Sequence, residues 1–182
     1  MIEQKPDQEA VLITRVQAGD SAAFQLLLQQ NLPVIHQYAN RMLDNSAEAA
    51  DVAQEVFIRF WRKSKTFDPK KAKLSTWLHQ IAHNLCMDYF RKQSRLTELE
   101  NREEPTSALL ENDLDQEQRT EHMKLLISNL PERQRSALIL CHYQGLSNKQ
   151  AATILDISVD ALESLLSRAR RTLKKTLMVQ SP

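Results

Sequence analysis

Two glycines in 182 residues leave this chain little choice of architecture. Strand-rich folds use glycine at tight turns and bulges, where the backbone takes positive φ. A chain that offers only Gly19 and Gly145 for this purpose is expected to be all-α. The apolar spacing agrees. Val52, Val56, Phe57 and Phe60 recur at three- and four-residue intervals, and so do Leu78, Ile81, Ala82, Leu85 and Tyr89. Each set falls on one face of a helix.

Taken in order, the chain reads as a series of helices with stop and start signals. A first helix over residues 7–18 ends at Gly19-Asp20. Ser21 can cap a second, which Pro33 should bend or break. Asn45 or Ser46 caps a third, and Ser75 a fourth that ends near Gln93. The composition then changes. Glu98, Glu100, Glu103, Glu104, Glu111, Asp113, Asp115, Glu117 and Glu121 face only Arg102 and Arg119, with little apolar periodicity. This stretch reads as an acidic flexible linker. It is either a solubilising segment or a polyanion that occupies a basic channel in a partner. The expected division is a helical domain over 1–95, a linker over 96–120 and a second helical domain over 121–182. In the second domain Pro131 can open a helix and Gly145 can end one. Ser147 to Gln150 has the form of a capping box. Asp156-Ile157-Ser158 makes a tight turn before a long last helix that Ser158 can cap.

Composition excludes several classes. The net charge is +1, so any attraction to nucleic acid must come from a local surface. The N-terminus has no apolar signal core and no run is long enough for a membrane span, which favours a cytoplasmic protein. Cys86 and Cys141 form no CxxC pair and read as small hydrophobes in a reducing compartment. Glycine is too scarce for a phosphate-cradling loop, and no nucleophile–base pair stands out, so no cofactor, small-molecule substrate or catalytic residue is expected. His79, His83 and Cys86 share a helix face at a spacing that could hold zinc. They lack the Glu of HExxH and any paired cysteine motif, so a surface or interface histidine pair is preferred to a metal site.

Two constellations point to nucleic acid. The connection between the third and fourth helices carries Arg59, Arg62, Lys63, Lys65, Lys70, Lys71 and Lys73 against Asp68 alone, interleaved with Phe60, Trp61, Phe67 and Trp77. Cations with aromatics suit a single-stranded nucleic acid, although solvated lysines in a loop would look similar. Trp77, Asn84, Asp88 and Arg91 fall on one face of the fourth helix. Asp88 does not suit DNA and is expected to hold a neighbouring arginine. The second constellation is a short capped helix, a tight turn and a longer helix with a basic end, the pattern of a helix-turn-helix. Val159, Leu162, Leu166, Ala169, Leu173 and Leu177 form its buried stripe. Asp160, Ser164, Arg168, Arg171 and Lys175 lie opposite.

The segments DVAQEVFIRFWR, STWLHQIAHNLCMDYFRK and LPERQRSALILCHYQGLSNKQAATILDISVDALESLLSRARRTLK together resemble the bacterial RNA polymerase sigma factors, in particular the small extracytoplasmic-function type that keeps only regions two and four. The resemblance covers nearly the whole chain. It implies a non-enzymatic alternative sigma factor, monomeric when free of partners. Such a factor binds core RNA polymerase, recognises and melts promoter DNA and directs initiation. Asp51, Gln54, Glu55, Phe57, Arg59 and Phe60 would dock on the beta-prime clamp helices. Lys63, Lys65, Phe67, Lys71, Lys73, Ser75, Trp77, Asn84, Arg91 and Lys92 would capture and hold the melted minus-ten element. Ser147, Lys149, Ser158, Asp160, Ala161, Ser164, Arg168 and Arg171 would read the minus-thirty-five element, and their domain would grip the beta flap. The linker would thread toward the polymerase active site. An anti-sigma factor is implied as a further partner, able to hold the protein at the inner membrane or release it to the nucleoid. One departure stands out. The recognition helix opens Asp160-Ala161-Leu162-Glu163-Ser164-Leu165, with Glu163 and Leu165 where the family commonly has cations. Glu163 is therefore expected to hinder phosphate contact. The alternatives carried beside this reading are a stand-alone helix-turn-helix regulator and a metal-dependent enzyme.

Overall fold

The computed structural model describes residues 6–100 and 116–179, and every regular element in them is helical. These residues form two compact units that part inside one long helix, between His83 and Asn84.

In the first unit, α1 (Pro6–Gln17), α2 (Ser21–Leu43) and α3 (Ser46–Lys63) precede a single 3-10 turn (Ser64–Thr66) and the start of α4 (Leu74–Glu100). Gly19, at φ +89°, turns the chain between α1 and α2. The cap that follows is Asp20, not Ser21: its carboxylate accepts from the backbone N–H groups of Ala22 and Ala23. Arg15 pairs with the same carboxylate at 2.7 Å. The N–H of Ala23, then Arg15, hold the Asp20 carboxyl below its ordinary range. α2 runs on as one helix through Pro33. It stops at Asp44, which takes the left-handed conformation (φ 50°) that glycine usually supplies. Asn45 caps α3 through the N–H groups of Ala47 and Glu48. α3 buries Val52, Val56, Phe57 and Phe60 as its spacing requires, against Leu27, Ile35, Tyr38 and Met42 of α2. The Gln17 amide donates to the carbonyls of Ser64 (2.9 Å) and Phe67 (2.7 Å), which ties α1 to the connection after α3.

α4 begins at Leu74, so Ser75 lies in its first turn and does not cap it; the Ser75 carbonyl accepts from His79 Nδ1 at 2.7 Å. No glycine or proline lies between Gln93 and Glu100, and the helix continues to Glu100. Its buried line is also rotated from the expected stripe. Leu78 and Ala82 are buried, Ile81, Leu85 and Tyr89 only partly, and His79, His83 and Cys86 are buried instead. Polar side chains at these positions hide the true face from a hydrophobicity pattern.

The second unit contains the rest of α4, α5 (Gln116–Ser128), α6 (Glu132–Leu138), a π-helical turn (Ile139–Tyr143), α7 (Asn148–Leu155) and α8 (Val159–Val179). α5 starts at Gln116, five residues before Glu121, the expected start of the second domain. Between α4 and α5, the middle of the acidic stretch (101–115) lies outside the described residues. Pro131 precedes α6, and Gly145 (φ +64°) ends the π-helical turn. α8 packs on α6 and α7 through Leu162, Leu166 and Ala169. Val159 and Leu177, expected in that stripe, are 38% and 39% exposed because they lie toward the ends of α8.

Candidate nucleic-acid and partner interfaces

In the first unit, α2 and α3 form an open apolar groove of about 1050 Å³. Phe24, Leu28, Leu32, Ala53, Phe57 and Trp61 line it, with Asp51, Gln54 and Arg62 among its polar members. Phe24 sets the floor, its ring 5.9 Å from that of Phe60 and 5.0 Å from that of Trp61. Asp51 and Gln54 are exposed. Glu55 and Arg59, one turn apart and partly exposed, pair at 2.7 Å. Phe57 is buried to 3% exposure and Phe60 completely. Both phenylalanines therefore shape this face from beneath. The polar residues of this face can be read from the α3 segment alone, but the groove cannot, because Phe24, Leu28 and Leu32 come from a helix some thirty residues earlier.

The connection from α3 to α4 is built around Asp68. Its side chain accepts from the Lys70 N–H, its carbonyl from the N–H groups of Lys71 and Ala72, and its carboxylate lies 3.8 Å from Lys71 Nζ. The turn displays Lys63, Lys65, Lys71 and Lys73, all exposed. Burial pushes the Glu9 carboxyl of α1 above its ordinary range, opposed by the charge of Lys73. Phe67 is buried and supports half-buried Trp77, whose ring is 5.2 Å from Phe67 and 5.8 Å from Phe60. Ser75 is half-buried. Further along α4, Asn84, Arg91 and Lys92 are exposed, and Arg91 pairs with Asp88 at 2.5 Å, the role expected of Asp88.

The candidate metal triad is core. His79 and His83 are 2% and 9% exposed. The Tyr38 hydroxyl meets His83 Nδ1 at 3.1 Å, and the Tyr38 ring lies 5.5 Å from that of His79. Burial pushes the Cys86 thiol up to about 12, far from the thiolate a metal or electrophile needs. Cys141 is raised as well, by burial and against the charge of Arg170. Among the described residues no three His, Cys, Asp or Glu side chains gather to hold a metal ion. The histidines are thus buried and hydrogen-bonded, neither a surface pair nor a ligand set.

In the second unit the expected helix-turn-helix is present. Ser147 and Gln150 form the reciprocal capping box at the start of α7. Asp156, at φ 53°, stops α7, and Ser158 Oγ accepts from the Ala161 N–H to start α8. Ser147, Lys149, Ser158, Asp160, Ala161, Ser164, Arg168 and Arg171 are all exposed. Ser164 Oγ donates back to the Asp160 carbonyl at 3.0 Å. One contact escaped the sequence. Asn148, the first residue of α7, donates from Nδ2 to Glu163 Oε1 at 3.3 Å. Asn148 Oδ1 in turn faces the Cys141 thiol at 3.8 Å.

The comparisons with known proteins cover both ends of the chain, and the first match crosses from the first unit into the second. The family model for Sigma-70 region 2 matches residues 27–96, and that for Sigma-70, region 4, matches residues 122–173. The RNA polymerase sigma-H factor of Pseudomonas aeruginosa is 32% identical, over 97% of this chain and 96% of its own length. The ECF RNA polymerase sigma-E factor of Escherichia coli is 33% identical over 95% of each. Among solved structures, the sigma factor RpoE in complex with the anti-sigma factor NepR from Bartonella quintana is similar with a TM-score of 0.70 at 27% identity, covering 86% of this chain and 97% of that one.

Proposed function

Because this chain belongs to the sigma-70 family of RNA polymerase sigma factors, in its extracytoplasmic-function branch, we propose a division of labour between an N-terminal and a C-terminal helical region. The protein is an alternative sigma factor that directs transcription initiation, and sigma factors are non-enzymatic initiation factors. The proposed domains are region two over 1–95, the acidic linker over 96–120 and region four over 121–182. In region two, Asp51, Gln54 and the Glu55–Arg59 pair meet the beta-prime clamp helices of core polymerase, over a surface that Phe57 and Phe60 hold in shape. Lys63, Lys65, Lys71 and Lys73 pair with phosphates of the melted minus-ten strand. Phe67 and Ser75 form the base-capturing connection, and Trp77, Asn84, Arg91 and Lys92 extend that surface along α4. In region four, Ser147, Lys149, Ser158, Asp160, Ala161, Ser164, Arg168 and Arg171 face the duplex minus-thirty-five element, and the domain grips the beta flap. The linker runs toward the active site of the polymerase.

The observation that carries this reading is the α2–α3 face, an apolar groove bordered by exposed Asp51 and Gln54. A stand-alone helix-turn-helix regulator has no use for such a face, whereas a subunit that must dock before reading DNA does. Soluble apolar grooves of this kind are interaction sites. An anti-sigma factor is a second proposed occupant of this face; the sigma factor RpoE of Bartonella quintana, 27% identical, was solved in complex with one. Such a partner would hold the protein inactive, at the inner membrane where the partner spans it. No described helix is long and apolar enough to cross a membrane. The proposed setting is the cytoplasm, where core polymerase resides.

Co-purification tests the reading. The full chain should elute with core polymerase on gel filtration, and a stoichiometric anti-sigma factor should displace it. Separate elution of chain and polymerase at micromolar concentration would leave the stand-alone regulator as the better account.

A further inference from the structure

The recognition helix presents a problem that the family reading does not solve. Asp160 and Glu163 stand on the exposed face of its first turns, where DNA would lie. A carboxylate there repels phosphates. Yet Glu163 is not loose: Asn148 Nδ2 donates to its Oε1 at 3.3 Å from the first turn of α7. Among the described residues no lysine or arginine pairs with Glu163. Its second oxygen, Oε2, therefore keeps its accepting capacity. Its neighbours Ala161 and Ser164 are small, and Ser164 is turned back onto the Asp160 carbonyl, so a base edge can approach.

We propose that Glu163 is a specificity-determining residue that accepts a hydrogen bond from the exocyclic amino group of one cytosine in the minus-thirty-five element, with Asn148 as the positioning residue that aims it. The inference rests on the sigma-factor reading of region four. The chemistry selects the base. In the major groove cytosine offers its N4 amino group without an adjacent acceptor on the same base, whereas adenine sets its amino group beside N7 and guanine and thymine offer acceptors that a carboxylate repels. The division between α7 and α8 follows from the same geometry. An amide at the start of the first helix fixes a side chain of the second, and the ordering cost is met before DNA arrives. Phosphate pairing is left to Arg168 and Arg171, further along α8. Glu163 then trades affinity for discrimination, which revises the view of it as only a hindrance.

The test is selection of promoter DNA by holoenzyme, assembled from core polymerase and the full chain, from a library randomised across the minus-thirty-five element. Wild type should enrich cytosine at one position. E163Q should lower that preference about tenfold, the scale of one mismatched base pair, and leave the other positions as they were. N148A should lower the same preference by less, and N148Q should restore part of it. E163D, which keeps the charge but draws it back, serves if E163Q fails to fold and should lose the same preference. If the variants change no base preference, or weaken all sequences alike, Glu163 is a structural link between α7 and α8 and the proposal is wrong. If wild-type holoenzyme selects no minus-thirty-five sequence at all, the reading of region four fails first.

Discussion

The two surfaces proposed to face DNA meet the same electrostatic problem in opposite ways. The connection between α3 and α4 shows Lys63, Lys65, Lys71 and Lys73 around a single acid, Asp68, which shapes the turn. The recognition helix opens with Asp160 and Glu163 and places Arg168, Arg170 and Arg171 two turns later. The first surface can hold any strand by charge. The second pays in affinity at its leading end, and so has more to gain from a specific base contact. With a net charge of +1, neither surface has a global field behind it. The contrast suits a factor that first discriminates duplex DNA and then holds a melted strand.

The contrast can be broken at several points. Phe60 is wholly buried beneath both the groove and Trp77, so Phe60→Ala should destabilise the first unit by about 3–5 kcal/mol, read in urea denaturation. Leu162→Ala, equally buried in the first turn of α8, should cost about 2–5 kcal/mol. Together the two variants report whether the units unfold separately: if so, each should shift a different transition. Glu55→Lys should break the pair with Arg59 and weaken binding to core polymerase by roughly tenfold, with helicity unchanged. Unchanged affinity would place the docking surface elsewhere. Ser147→Ala removes the capping-box oxygen and should cost about 1 kcal/mol. Arg171→Ala has the smallest expected effect on discrimination. It should weaken all DNA sequences alike and reduce the salt slope of binding by about one, as should Lys65→Ala. A base-dependent loss for Arg171→Ala would erase the proposed distinction between holding and reading.

Much of this was legible in the sequence because it rests on local chemistry. Scarce glycine implied helices, and both glycines do take positive φ. The Ser147–Gln150 box and the Ser158 cap need only neighbours within three residues. Other features depend on partners that no local pattern names. Asp20 and Ser21 are adjacent and equally able to cap; the left-handed turn at Gly19 decides for Asp20. Asp44 and Asp156 stop helices in a conformation that L side chains adopt rarely; Asp156 stands at an expected tight turn, whereas nothing in the sequence marks Asp44 as a stop. His79 and His83 looked like surface residues because their burial depends on Tyr38 and the Ser75 carbonyl. Asn148 and Glu163 meet across fifteen residues, and only the packed helix-turn-helix brings them together.

The most direct measurement of the central claim is run-off transcription by core polymerase on genomic fragments, with and without this chain. The account predicts transcripts of defined start that appear only when the chain is added and that disappear when their minus-ten or minus-thirty-five element is scrambled. The same products from core polymerase alone, or tight DNA binding by the chain with no new start site, would contradict it.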